Sequence, residues 1–428
     1  MKFQLMFILF FTGLFTLTLH AQETNEGIVF HENEPWADML QLAKAENKLI
    51  FMDCYTVWCG PCKGLAKEVF PQKEVGDFFN AHFINTKYDM EKGDGKVLHE
   101  KYKPDIIGFP TLLLIDADGA IVHRMAGYKQ AGELLASVKA ALDGKSFYAV
   151  RDKYESGVRD FETIADYAFV LKNAYLTQHL DSVLDAYLQT IDLPDLFRPE
   201  VWETIGKRIK DPYTEPYRFV IGNLDKVQYR AKANRYEVEQ TLGRGMSQAV
   251  NQIIKVSTTS LTTDSIQWVK DKTDYLLDNI LSKGNVKQFT DYTAKLQLNA
   301  LRLNHKASEI AETLKYIRPV GVLRSDRPFV ADLYHFVITN VSDNNMIETA
   351  LNEVLALQAT YKSASPLDAN FYDAIADGYV KLGRKAEADA ARAEFAKREA
   401  ARKAHVDNFL KKSNKDDNAD TIAGNGIE

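Results

Sequence analysis

The stretch FMDCYTVWCGPCKGLAKEVF, Phe51–Phe70, places Cys59 and Cys62 on either side of Gly60-Pro61, with Cys54 just upstream. It extends an apolar run, LIFMDCY over residues 49–55, of the kind found in a strand buried on both faces. The segment CKGLAKEVF that follows reads as a helix, with Pro61 acceptable in its first turn. A strand leading through paired cysteines into a helix can staple a fold, hold a metal or carry out chemistry. The flanking sequence decides among these.

Outward from this stretch, helical and strand signals alternate. PWADMLQLAKAENK, residues 35–48, has apolar residues at helical spacing: Trp36, Met39, Leu40 and Ala43. HFINTKYD, residues 82–89, is a second strand, and DGKVLHEKY, residues 94–102, a helix. TLLLID and AIVHRMA flank Asp118-Gly119, a hairpin signal, and AGELLASVKAAL closes the series as a helix before Asp143-Gly144. Alternation that ends in a hairpin and a helix predicts a small α/β domain.

Beyond Ser146 strand signals nearly vanish. Amphipathic segments such as FETIADYAFVLKNAYL and MIETALNEVLALQATY follow one another to about His405, as in an all-α array of antiparallel helix pairs. The segment FYDAIADGYVKLGRKAEADAARAEFAKRE, with Ala376, Tyr379, Leu382-Gly383 and Ala388, resembles one tetratricopeptide repeat, although Arg392 and Phe395 depart from its pattern. The polar ending KKSNKDDNADTIAGNGIE predicts a disordered tail. At the other end, Lys2, the apolar run to Leu19 and Leu19-His20-Ala21 describe a secretory signal peptide. The run is shorter than the ~20 residues that span a bilayer. The expected organisation is a signal peptide at 1–21, an α/β domain at 22–146, a helical domain at 147–405 and a tail at 406–428.

The net charge of −6 gives no electrostatic reason to expect nucleic acid as a partner. Three cysteines, all between Cys54 and Cys62, cannot staple distant parts of the chain. His82 and His99 lack ligand-like spacing, so neither zinc nor another metal is expected. No cofactor is expected either.

The motif WCGPCK, Trp58–Lys63, resembles the active-site signature of the thioredoxin family. Asp53 stands six residues before Cys59, where that family keeps a buried acid. GFPT, Gly108–Thr111, matches the loop that carries the family's cis-proline, here Pro110, and Gly127 matches a glycine beside that loop. The resemblance covers about residues 29–143. It implies a thioredoxin fold and a Cys59/Cys62 couple that exchanges disulfides with other proteins. Placed just before a helix, Cys59 is favoured as a thiolate by free N–H groups and the helix dipole, below its ordinary pKa of about 8.5. It is expected to attack a substrate disulfide, with Cys62, the more buried of the two, releasing the product. Asp53, its own pKa raised by burial, is the expected proton acceptor. Trp58, Gly60, Pro61, Phe109, Pro110, Thr111 and Gly127 are the expected substrate-binding residues, with extended substrate pairing beside Phe109 as an added strand. Cys54 alternates away from Asp53 and reads as a small buried thiol.

Plainer readings stand beside these. The cysteine pair could be a structural disulfide, Asp53 a solvated acid at a strand end, and the helical part a buttress. Two functions follow. The first is an extracytoplasmic, periplasmic thiol–disulfide oxidoreductase that reduces or rearranges disulfides of envelope proteins or peptides. The Gly-Pro pair accompanies reducing members of the family, and a reductant in an oxidising compartment needs a membrane-linked electron donor. The second is a partner-binding helical array that carries a weakly active thioredoxin module.

Overall fold

Leu49–Tyr55 forms the centre of a sheet whose five strands, among the described residues, are β1 (His31–Glu32), β2 (Leu49–Tyr55), β3 (Phe83–Asp89), β4 (Thr111–Ile115) and β5 (Ile121–Ala126). This computed structural model describes residues 27–422 except 260–261, 285, 287 and 361–368. The strand order is β1-β3-β2-β4-β5, with β1 and β2 parallel to β3, and β4 antiparallel to both β2 and β5. The turn at Asp118-Gly119 closes β4 onto β5: Asp116 N–H donates to Ala120 O at 2.9 Å, and Gly119 takes a φ of 83°.

Helices α1 (Trp36–Glu46), α2 (Gly60–Gly64, widening over Leu65–Val69), α3 (Lys73–His82), α4 (Gly93–Lys101) and α5 (Ala131–Ala140) cover the two faces. Alternation along β2 sends Phe51 to a core with Leu65, Phe79, Leu114, Met125 and Leu134. It sends Ile50, Met52 and Cys54 to the opposite core, with Met39, Tyr88, Leu98 and Leu113. A buried aromatic or aliphatic side chain stabilises by about 1.5–3 kcal/mol, so each face is a substantial anchor for the central strand. Cys54 is buried on the face away from Asp53, as its register predicts.

Two elements lacked a sequence signal. β1 has only two residues. Helix α3 carries Gly76, which weakens a helical reading. A Cβ at Gly76 would lie 2.4–2.6 Å from the backbone of Gly27, so close packing requires glycine there.

The chain divides into two units, the first ending at Thr190 and the second beginning at Ile191. The expected boundary lay at 146. Helices α6 (Phe147–Glu155), α7 (Phe161–Asn173) and α8 (Thr177–Thr190) therefore belong with the sheet. The cause lies in β5, which carries the polar side chains His123 and Arg124, both buried. Phe147 N–H donates to His123 Nδ1 at 2.9 Å, the Phe147 ring lies 5.5 Å from the Arg124 guanidinium, and Tyr148 Oη bonds Asp105. His123 Nδ1 is therefore the acceptor, which leaves Nε2–H to donate to Ser137 Oγ at 3.1 Å. An edge strand with buried polar groups needs such a cover.

The second unit is helical. One of its cores joins Leu298, Ile310, Leu333, Val337, Leu351 and Phe371. Helices Ala369–Lys381 and Lys385–Ile422 meet at Gly383, whose φ is 72°, with Ala376 and Ala388 buried. The tail expected to be disordered from 406 instead continues this helix to Ile422. No proline or glycine interrupts the sequence between Gly383 and Gly424, so nothing in it breaks the helix. The signal segment and residues 423–428 lie outside the described residues. Among those described, no helix is long and apolar enough to cross a membrane.

Candidate functional site

At the carboxyl end of β2 the chain turns into α2, and Cys59 is the residue that caps this helix. Its Sγ accepts the Cys62 N–H at 3.1 Å, and its carbonyl accepts the Lys63 N–H at 3.2 Å. The sulfur thus occupies a place where a helix start presents unpaired donors, an arrangement that favours negative charge. Cys59 and Cys62 are joined in a disulfide, with Cα atoms 5.3 Å apart. Their exposures are 3% and 5%, so the greater burial expected for Cys62 is not present. With each sulfur bonded to the other, both lose accessible surface.

Asp53 lies on the α2 side of the sheet and is 1% exposed. Burial, and secondarily the charge of Glu32, push its pKa up to about 7, while Lys87 pulls the other way. Its Oδ1 has no hydrogen-bond partner. Lys87 escaped the sequence reading, although a signal existed. An acid inside an apolar strand calls for a nearby base, and Lys87 is the only one in the neighbouring strand, in register with Asp53. Lys87 also pairs with Glu32 at 3.1 Å. Burial first, and then Asp53, raise the Cys54 thiol well above its ordinary range, which keeps it protonated.

Around the disulfide lies an exposed apolar rim. Trp58 is 65% exposed and packs edge-on against Phe109, with ring centroids 6.0 Å apart. Its Nε1 donates to Glu91 at 3.0 Å, a partner with no sequence signal. His99 also meets the Phe109 ring, with centroids 5.6 Å apart. Gly60 and Pro61 are exposed, and a Cβ at Gly60 would touch nothing within 4 Å. The Phe109–Pro110 bond is cis. Thr111 Oγ1 donates to Gly108 O at 2.6 Å, and Gly127 N–H donates to Pro110 O at 2.8 Å. The sequence-predicted residues therefore form two groups: Asp53 beneath the sheet surface, and the two cysteines with Trp58, Gly60, Pro61 and the Phe109–Thr111 loop at the end of β2 and α2. Gly127 joins the second group through Pro110. Such an arrangement favours negative charge at the capping sulfur and presents an exposed aromatic platform, Trp58 against Phe109, at the same end of the sheet.

A family model described as a thioredoxin-like domain matches residues 36–142. Over 104 residues the chain is 29% identical to a thiol:disulfide interchange protein DsbD of Tatumella citrea, covering 23% of this chain and 17% of that protein. Over 204 residues it is 24% identical to a protein disulfide-isomerase of Datisca glomerata, covering 44% of this chain and 38% of that one. A solution structure of a candidate disulphide-isomerase from Bacteroides thetaiotaomicron is 47% identical, with 27% of this chain and 94% of that chain covered and a TM-score of 0.25. The chain thus spans well under half the length of these two curated relatives.

Proposed function

The domain at residues 36–142 belongs to the thioredoxin-like family, and from that premise we propose that the chain is an extracytoplasmic thiol–disulfide oxidoreductase acting on envelope proteins or peptides. The observation that carries this reading is Cys59 at the helix cap, bonded to Cys62, with a buried acid, Asp53, on the strand that leads into that helix. In the reduced protein the Cys59 thiolate attacks one sulfur of a substrate disulfide. A Cys59–substrate bond forms, and the other substrate sulfur leaves as a thiolate that takes a proton from water. Cys62 passes its proton to the Asp53 carboxylate and attacks Cys59 Sγ. The mixed disulfide breaks, the second substrate sulfur leaves, and the Cys59–Cys62 disulfide is restored. Two electrons have moved to the substrate, so a separate donor must reduce the pair again. We assign that role to a membrane-linked partner. The signal-like segment and the interchange-protein similarity support a periplasmic setting.

Trapping tests the assignment of the cysteines. Cys62→Ser is expected to accumulate mixed disulfides through Cys59, whereas Cys59→Ser accumulates none; equal trapping by both variants would reverse or abolish the roles. The helical unit supports a selecting role, since it holds a cavity of about 810 Å³ lined by residues such as Lys315, Arg318, Met346 and Glu353. A tethered binding surface raises the effective concentration of substrate at the thiol, to roughly millimolar. Trapping with the full chain and with residues 27–190 should then capture different partners from envelope extract; identical partners at identical yield would reduce this unit to a buttress.

Asp53 is tested by kinetics. A base whose pKa is about 7 acts only when ionised, so resolution of the mixed disulfide should quicken as pH rises through 7. Asp53→Asn is expected to slow that step about a hundredfold near neutrality, with the defect closing at high pH where Cys62 ionises unaided. Stopped-flow traces in which formation and resolution are both unchanged would leave Asp53 a packing role.

A further inference from the structure

Tyr175, at the turn between α7 and α8, touches the redox site from outside the family match. A Cβ built on Gly127 would come within 2.6–3.0 Å of the Tyr175 ring and hydroxyl, so the ring lies directly over that glycine. Gly127 in turn donates its N–H to Pro110 O, on the loop beside Phe109. Lys129 holds the arrangement from below: its Nζ donates to Ala126 O at 3.0 Å and sits 4.9 Å from the Tyr175 ring. Despite these contacts Tyr175 is 54% exposed.

The backbone at this residue is unusual for its type. Tyr175 has a φ of 57°, in the left-handed region. It ends α7 in a two-bond cap, with Tyr175 N–H on Lys172 O and Leu176 N–H on Leu171 O. Glycine is the ordinary residue at that position, and an aromatic there is a conformational outlier. The cap does not need the ring, and burial does not hold it. A strained, exposed aromatic fixed beside a binding loop is a signature of function.

We propose that Tyr175 is a specificity-determining residue for the disulfide exchange, a wall against which an apolar side chain near the substrate cysteine packs when an extended polypeptide lies along the Phe109–Pro110 loop. The proposal rests on the oxidoreductase reading above. A polypeptide disulfide reaches the ring, whereas a small disulfide that touches only Cys59 does not. Tyr175 acts on binding and leaves the sulfur chemistry alone.

The test compares insulin with hydroxyethyl disulfide as substrates of the full-length protein, with dithiothreitol re-reducing the Cys59–Cys62 pair at each turnover and its uncatalysed rate subtracted. Tyr175→Gly keeps a residue suited to the left-handed cap, so its thermal midpoint should not fall. Its kcat/KM for insulin should drop about threefold to tenfold, through KM, as befits one lost aromatic contact. Its kcat/KM for hydroxyethyl disulfide should match the unmutated chain, and Tyr175→Phe should restore insulin reduction. An unchanged KM for insulin, or an equal loss on both disulfides, overturns the proposal. Failure of the unmutated chain to reduce hydroxyethyl disulfide would instead overturn the oxidoreductase reading itself.

Discussion

Asp53→Asn should make the oxidised protein more stable above pH 7, by up to about 4 kcal/mol, the value of a three-unit displacement at ~1.36 kcal/mol per unit. The folded carboxyl has its pKa raised from 3.8 to about 7, chiefly because burial penalises its charge. A raised pKa means that the folded state holds a proton the unfolded chain has released. The stability this group contributes is complete below 3.8 and is lost as pH rises through 7. The gain of Asp53→Asn should therefore vanish near pH 4, grow through the acid range and level off above 7. His123 works in the opposite sense. Burial, and secondarily Lys129, lower its pKa from 6.5 to about 3. The unfolded chain takes up a proton that the folded chain refuses, so this contribution is complete above 6.5 and is lost as pH falls toward 3. Between about pH 4 and 6.5 the two slopes, each ~1.4 kcal/mol per pH unit, nearly cancel. Urea unfolding of the parent, Asp53→Asn and His123→Gln across this range checks the pairing. A pH-independent difference between Asp53→Asn and the parent would show that Asp53 ionises freely in the fold.

A fragment ending at residue 145 should be destabilised relative to one ending at 190 by at least about 3–5 kcal/mol, and unfolded or dynamic at 37 °C. Every residue that matches the family signature lies before 145, so family resemblance alone would let the shorter fragment stand. The structure argues otherwise. Removal of Phe147 takes the donor from buried His123 Nδ1 and the ring from Arg124. Arg124 keeps only its pairing with Asp105, while its Nε and Nη2 are already without partners. An unsatisfied buried polar group costs ~1–3 kcal/mol, and loss of a buried aromatic costs ~3–5 kcal/mol. Denaturant midpoints and amide exchange in β5 check this, and equal midpoints for the two fragments would make α6–α8 an appendage.

The sequence revealed most where one residue class must serve one environment. Leu49–Tyr55 was legible to the residue because a strand covered on both faces has no polar face to blur it. The cysteine pair, Trp58 and Pro110 were legible because WCGPCK and GFPT resemble the signatures of the thioredoxin family. Asp53 was legible as a buried acid, but its Lys87 counter-charge lies on another strand and needed the register. Helix α3 was hidden by Gly76, whose reason is a contact with Gly27 far away in sequence. His123, Arg124 and Tyr175 carry no motif at all. Each looks like an ordinary polar or aromatic residue until the fold brings Phe147 or Gly127 beside it. The boundary at Thr190 was missed for the same reason, since a helix that covers a sheet and one that joins an array share the same amphipathic pattern.

The cover over β5 also sets an order of assembly. Synthesis delivers the amino end first, and the last strand is complete at Ala126. At that moment His123 has no donor and Arg124 no ring above it, because both come from Phe147. Until α6–α8 have emerged, that edge lacks the contacts that cover it. The first unit therefore completes the buried contacts of its edge strand only when its last helices have been delivered, well after every strand has been made.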